Sequence, residues 1–267
     1  MLLIEYRIKL PLPLDQYQIA QLYTTVEMSK EFTSSGEGVE ILENIPCDPA
    51  CLPNHTGPSR KAVTKVQRTL KRYYIPSAMS AAVGLSDCIL RESSFNGFPN
   101  LRTVVTAEAG TDGEFTIDTV CKKMDDPKDN ANVFKLPQAI LDKCSVVDID
   151  IVNDSLPPDL LNKDDPKEVG LKDDWQESLI PRLSMVVYKL VFVKSRETNK
   201  ETKETKEAVN TLVMDSMRKV FTVFHRKLVC SQDMWKGLNM EDIRTIEQET
   251  KDVLDRKRSD DVTYFHE

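Results

Sequence analysis

Lys189 stands inside an otherwise apolar run, Met185-Val186-Val187-Tyr188-Lys189-Leu190-Val191-Phe192-Val193. β-Branched and aromatic residues make the run a strand, and its two-residue repeat puts Lys189 on the face of Val187, Val191 and Val193. If that face is buried, the ammonium needs an anion, either an internal carboxylate or a bound phosphate, because an unpaired charge in a low-dielectric interior loses its proton or destabilises the fold. On an edge strand the same lysine would block sheet-to-sheet association or reach out to water. Thr103 shares a strand face with Leu101 and Val105, and Thr119 shares one with Ile117 and Cys121. Glu247 follows Ile243 by one turn of a C-terminal helical pattern and can also face inward. Singly, each threonine is an ordinary strand residue and the glutamate an ordinary solvated one. Together with Lys189 they suggest the polar end of an apolar pocket.

Other chemistry finds little support. Glu247 and His225 could in principle act as an acid–base pair, but no G-x-S-x-G nucleophile motif and no metal constellation accompany them. Cys47, Cys51 and His55 lack a fourth ligand for a tetrahedral zinc site. The six cysteines form no dense framework and the N-terminus lacks a signal pattern, so a cytoplasmic setting is expected and the Asn54-His55-Thr56 glycosylation pattern carries no weight. A formal net charge of −7 argues against nucleic-acid binding by phosphate neutralisation. No apolar stretch approaches the roughly 18 to 20 residues that span a bilayer, so membrane contact is expected to be peripheral.

The elements that must position these groups read as follows. Leu2 to Leu10 alternates as a half-buried strand, ended by Pro11 and Pro13, and Leu14 to Lys30 has helical spacing. A short strand over Val39 to Asn44 precedes a proline-rich loop at 46–58. Arg60 to Gln67 and Leu70 to Ile75 predict a polar hairpin, and Pro76 to Leu90 a helix of small residues. Leu101 to Glu108 and Glu114 to Lys123 predict a second hairpin, followed by a polar loop over Asp125 to Asn132, a short helix over Pro137 to Lys143 and a strand over Ser145 to Val152. Residues 153–175 read as a polar surface excursion. After the Lys189 strand, the charged low-complexity stretch 197–207, ETNKETKETKE, reads as a solvated loop or frayed helix start. Helices are predicted over Val209 to Cys230 and from an Asn239 cap to about Arg258, with Leu238 and Ile243 as a hydrophobic staple. The whole is seven or so mostly antiparallel strands ending in a long helical pair, with 267 residues at the upper end of one domain.

The stretch Phe95-Asn96-Gly97-Phe98-Pro99-Asn100-Leu101-Arg102-Thr103-Val104 resembles a segment of the phosphatidylinositol transfer protein family, and further matches follow in chain order. They are Glu5-Tyr6-Arg7, Gln18-Ile19-Ala20-Gln21-Leu22-Tyr23, Gly36-Glu37-Gly38-Val39-Glu40, Tyr188-Lys189-Leu190-Val191, Phe221-Thr222-Val223-Phe224-His225-Arg226, and Asp242-Ile243-Arg244 with Glu247, Glu249, Thr250 and Lys251. The resemblance implies one α+β domain over 1–267 with a helix-grip, START-like fold, in which a curved antiparallel sheet and long helices enclose one phospholipid. It implies inositol contacts at Ser59, Lys61, Asn96 and Glu247 and phosphate contacts at Gln21, Thr103, Thr119 and Lys189, with Cys121 as the alternative to Thr119. The implied function is non-enzymatic binding and transfer of phosphatidylinositol, with phosphatidylcholine as a candidate second ligand. No cofactor or metal is implied, and the protein is expected to be a monomer that touches membranes transiently. A lipid-presenting sensor or scaffold, and less so a hydrolase on the same fold, are the competing readings.

Departures from the family pattern sharpen the expectations. Ser59 keeps the hydroxyl of a family threonine, and Leu101 replaces a cavity cysteine, so thiol reagents should not act through that site. The tryptophan pair that members carry after the lysine strand is replaced by Ser195-Arg196 and the charged stretch, so membrane docking must use other surfaces or be weaker. The loop that carries a regulatory serine in animal members is shortened around Pro166 to Trp175, and no phosphorylation switch is carried over.

Overall fold

The computed structural model describes residues 2–34, 37–49, 65–75, 89–108, 114–124, 132–157, 164–194 and 203–259. The elements run β1 (Leu2–Leu10), α1 (Leu14–Glu31), β2 (Gly38–Cys47), β3 (Val66–Tyr74), β4 (Ile89–Gly97), β5 (Asn100–Ala107), β6 (Glu114–Lys123), α2 (Gln138–Leu141), β7 (Ser145–Ile149), β8 (Met185–Lys194), α3 (Lys203–Cys230), α4 (Gln232–Trp235) and α5 (Met240–Ser259). Eight strands form one open mixed sheet in the order β2-β3-β4-β5-β6-β8-β1-β7. Long helices flank it, the α+β arrangement of the helix-grip class.

Several expectations need correction. The sheet is not wholly antiparallel, because β7 pairs parallel with β1 from Ile4↔Ser145 to Ile8↔Ile149. The predicted hairpin at 60–75 is replaced over its described part by a single strand, β3, since Thr69 and Arg68 are tolerated in a strand and bring no turn residue. Ile89 and Leu90 belong to β4 rather than to a helix, and 76–88 lie outside the described residues. The strand β4 was illegible because ILRESSFNG shows no apolar alternation. The stretch 197–207 already enters α3 at Lys203.

Local signals explain the helix ends that shape the interior. Asn239 Oδ1 accepts the Glu241 and Asp242 backbone N–H groups at 2.8 and 3.2 Å, while Asp242 Oδ2 accepts the Asn239 N–H at 2.8 Å. This reciprocal cap starts α5 as its sequence predicts. Between α1 and β2, Gly38 has φ +116°, and a Cβ there would come within 2.4 Å of Thr33 Cα. Only glycine lets β2 leave the helix so closely.

The main core packs Ile4, Tyr6, Ile8 and Leu10 of β1, Cys121 of β6, and Met185, Val187 and Val191 of β8 against Tyr17 and Ala20 of α1 and Phe221 and Leu228 of α3. The segment after β7 is anchored rather than loose. Trp175 is buried and its Nε1 donates to Asp150 Oδ1 at 2.9 Å. Arg226, also buried, donates to the carbonyls of Ile151, Val152 and Asp154 at 2.6, 3.1 and 2.6 Å. Over β2–β5, by contrast, helix packing on the inner face is confined to a small cluster, Leu254 of α5 against Val39 and Ile41 of β2.

Candidate functional site

Strand register gathers the polar residues into rows. Gln67, Asn96, Leu101, Thr119, Lys189 and Tyr6 are successive cross-strand partners from β3 to β1. Adjacent strands lie about 4.8 Å apart, so this is one continuous line across the sheet. The next inward row, about 7 Å along the strands, is Asn44, Thr69, Ser94, Thr103, Ile117 and Val191. A bulge between Ile41 and Glu43 shifts the β2 register, so that Ile41 and Asn44, three residues apart, both reach the inner face.

A cavity of about 350 Å³ opens above these rows. Its apolar side is made by Leu22 and Val26 of α1, Phe32 just past the end of that helix, Val39 and Ile41 of β2, and Val220, Phe221 and Phe224 of α3. The polar side includes Gln21, Asn44, Gln67, Asn96, Thr103, Lys189 and Glu247. Phe32 and Val220 border the cavity and are 60 % and 53 % exposed, which marks where it meets solvent.

Lys189 lies on a central strand, between β6 and β1, so the edge-strand alternative does not apply. Its Nζ donates to Thr119 Oγ1 at 3.4 Å and lies 5.0 Å from the centre of the Phe221 ring. Burial pulls its pKa down to about 8, opposed weakly by Cys121. The Cys121 thiol is itself pushed up to about 12 by burial, so it supplies no thiolate counterion. Among the described residues no carboxylate pairs with Lys189. The hydroxyl and ring that hold it carry no compensating charge.

Glu247, near the middle of α5, accepts from Asn44 Nδ2 at 2.8 Å and from Arg244. Gln67 Nε2 donates to Asn44 Oδ1 at 2.7 Å. The chain Arg244, Glu247, Asn44, Gln67 thus ties α5 to β2 and β3. Farther along, Glu40 holds the end of α5 through Arg258 at 3.0 Å, and it also accepts from Tyr74 at 2.8 Å and Arg72 at 3.3 Å. Its hydrogen bond from Arg258 is the chief reason its pKa falls to about 2, against the desolvation that opposes the shift.

Two buried acceptors of the cavity wall have no partner among the described residues, Gln21 Oε1 and Asn96 Oδ1. Buried polar atoms are rarely left so, and an unmet acceptor in a cavity calls for a donor from a ligand.

Of the sequence-predicted residues, Gln21, Asn96, Thr103, Lys189 and Glu247 line one cavity. Thr119 is buried against Lys189 without forming part of the cavity wall, and Cys121 lies one inward position farther along β6. Ser59 and Lys61 lie outside the described residues. Sequence reading passed over Asn44, Gln67, Ser94, Lys71 and Glu92. Their signal was a polar residue at every second position of β3 and β4, which looks like a solvent face until the register is known. His225 does not reach Glu247's hydrogen-bond chain. It is fully buried, with Nε2 3.2 Å from Tyr17 Oη and Nδ1 2.7 Å from the Phe221 carbonyl, and burial lowers its pKa to about 3. Cys47 is disulfide-bonded, which removes it from the zinc trio, and Cys51 and His55 lie outside the described residues. Among the described residues no group of histidine, cysteine and carboxylates could hold a metal, and no helix is long and apolar enough to cross a membrane.

Comparison with known proteins matches residues 1–252 to a family model described as "Phosphatidylinositol transfer protein". The human phosphatidylinositol transfer protein beta isoform is 31 % identical over 271 residues, covering 95 % of this chain and 93 % of the relative. Phosphatidylinositol transfer protein 2 of Dictyostelium discoideum is 33 % identical over 271 residues, covering 96 % of each. The mouse membrane-associated phosphatidylinositol transfer protein 2 is 33 % identical over 270 residues, 96 % of this chain but 19 % of that longer protein.

Proposed function

The chain belongs to the phosphatidylinositol transfer protein family, and from that premise we propose that it binds one phosphatidylinositol in the cavity and exchanges it between membranes. The observation that carries the reading is the set of unmet needs on one wall. Among the described residues Lys189 lacks an anion, while Gln21 Oε1 and Asn96 Oδ1 lack donors. A phosphodiester esterified to a polyhydroxylated ring supplies both. The phosphate accepts from the ammonium of Lys189, the Thr103 hydroxyl and the Gln21 amide, a charge-assisted network stronger than neutral hydrogen bonds. The ring hydroxyls donate to Gln21 Oε1, to Asn96 Oδ1 and to Glu247.

Thr119 takes a positioning role here, since its hydroxyl holds Lys189 and lies off the wall. Ser59 and Lys61 are proposed to complete the inositol contacts. A choline head group carries no donors, so phosphatidylcholine would leave Asn96 and Glu247 unserved and bind more weakly. Acyl chains run along the apolar side toward Phe32 and Val220. Burial of each methylene is worth about 0.8 kcal/mol, so escape into water is too slow and exchange takes place where a bilayer receives the chains. No bond is broken in this cycle.

Mass spectrometry of lipid that copurifies with the protein, followed by vesicle-to-vesicle transfer of labelled lipid, tests the reading. Stoichiometric phosphatidylinositol and measurable transfer are expected. Bound lipid without transfer would favour a presenting scaffold, and absence of bound lipid would refute the proposal.

A further inference from the structure

Among the described residues two ammonium groups border the cavity, and the diester phosphate accounts for one. The other belongs to Lys71 on β3, which is only 6 % exposed and lines the cavity. Among the described residues no carboxylate lies within 4.0 Å of its Nζ. Glu92 is its direct cross-strand partner on β4, yet the carboxylate is engaged elsewhere. Its Oε2 accepts from Tyr73 Oη at 3.0 Å and its Oε1 from Ser94 Oγ at 3.1 Å. A buried ammonium without a contact anion is costly, and a cavity beside it is where a ligand anion can enter.

Position along the sheet says which part of a ligand would meet it. Lys71 is one inward position beyond Thr69 on β3, about 7 Å along the strand, and Ile41 and Glu92 are its partners on either side. Lys189 sits four ladder steps away on β8, in the first of the two polar rows, whereas Lys71 lies beyond the second. Between them the wall is continuous in hydrogen-bonding groups: Asn44, Gln67, Thr69, Ser94, Asn96 and Thr103. A ring whose diester is held at Lys189 lies over that wall. Its substituents farthest from the diester point to β2 and β3.

We propose that Lys71 forms a second anion subsite that takes a phosphomonoester on the inositol ring, so that the cavity accepts a phosphorylated inositol lipid as well as the unmodified one. This deepens the reading of the same cavity and rests on it. Glu92 limits the subsite: its carboxylate, directly across the ladder, opposes the incoming charge, while Tyr73 and Ser94 hold it away from the ammonium.

The test is uptake from phosphatidylcholine vesicles that contain either phosphatidylinositol or phosphatidylinositol monophosphate, with wild type, Lys71→Met and Glu92→Gln. Wild type should take up both lipids. Loss of one charge-assisted contact in Lys71→Met should lower uptake of the phosphorylated lipid about tenfold or more, with uptake of phosphatidylinositol unchanged. Glu92→Gln should raise the share of the phosphorylated lipid. Wild type that takes up phosphatidylinositol alone overturns the subsite, as does an equal loss of both lipids in Lys71→Met, which would make Lys71 a counterion for Glu92. If Lys71→Met fails to fold, an unchanged lipid share in Glu92→Gln overturns it. Uptake of neither lipid by wild type refutes the underlying transfer reading itself.

Discussion

The inner face of the sheet is mostly solid over β1, β6, β7 and β8, Lys189 apart, and mostly hollow over β2 to β5, Val39 and Ile41 under Leu254 apart, although one ladder runs through both halves. In the solid half the inward positions are Ile4, Ile8, Leu10, Met185, Val187 and Val191, and they close on α1 and α3. Its buried polar groups serve one another. Tyr6 Oη donates to the Met214 carbonyl at 2.9 Å, Tyr17 pairs with His225, and Arg226 satisfies three carbonyls. In the hollow half the inward positions are Gln67, Thr69, Lys71, Ser94, Asn96 and Thr103, and some of their bonding capacity is unspent. Polar burial thus stabilises the fold in one half and reserves affinity for a ligand in the other.

One substitution of a buried polar group that serves the fold and one of a group that faces the cavity separate these uses. Arg226→Met removes every donor to the Ile151, Val152 and Asp154 carbonyls, and should lower the unfolding free energy by about 3–5 kcal/mol, measured by urea denaturation. Lys189→Met should do the opposite to the ligand-free protein, raising its stability by removing a desolvated charge of similar size. The same variant should weaken phosphatidylinositol binding by about 10- to 100-fold, the worth of a charge-assisted contact. Equal losses of stability in the two variants would erase the distinction between the halves.

The halves also differed in how far their residues disclosed them. The solid half was legible: alternation in β1 and β8, the helical spacing of α3 and the Asn239 cap all agree with where those elements lie. Lys189 stood out because it broke an apolar pattern. The hollow half concealed itself because a polar lining and a solvent-facing strand share one pattern, so ILRESSFNG carried no sign of β4. The family resemblance located Asn96 and Thr103, but Asn44 needed the β2 bulge and Gln67 needed the register, neither of which local composition encodes. The parallel pairing of β7 was likewise beyond reach, being a matter of chain path.

Protonation offers a finer cut through the same comparison. The Lys189 pKa is lowered to about 8 in the empty cavity, from 10.5. In that window the unfolded chain binds more protons than the ligand-free fold, so this residue's contribution to ligand-free stability rises as pH climbs from about 8 toward 10.5. A bound phosphate restores the charged form, so binding takes up a proton once the pH passes about 8. Affinity for phosphatidylinositol should therefore fall with rising pH above that point, at up to about tenfold per pH unit. Lys189→Met should bind weakly with a flat profile. A wild-type profile flat from pH 7 to about 10 would show that no proton is taken up at Lys189.

The smallest effect expected is also the most selective. Asn96→Leu removes an acceptor that no group among the described residues serves, so the ligand-free fold loses no bond to that oxygen and gains an apolar side chain beside Leu101, its ladder partner. Unfolding free energy should hold steady or rise slightly. Binding of phosphatidylinositol should weaken by about fivefold, the worth of one ordinary hydrogen bond near 1 kcal/mol, while phosphatidylcholine binding should not weaken because its head group offers no donor. Competition between the two lipids in a single transfer assay reads this change as a shift in ratio. An equal loss for both would mean that Asn96 shapes the cavity instead of reading the ring, and the unmet acceptors of the hollow half would then be features of packing.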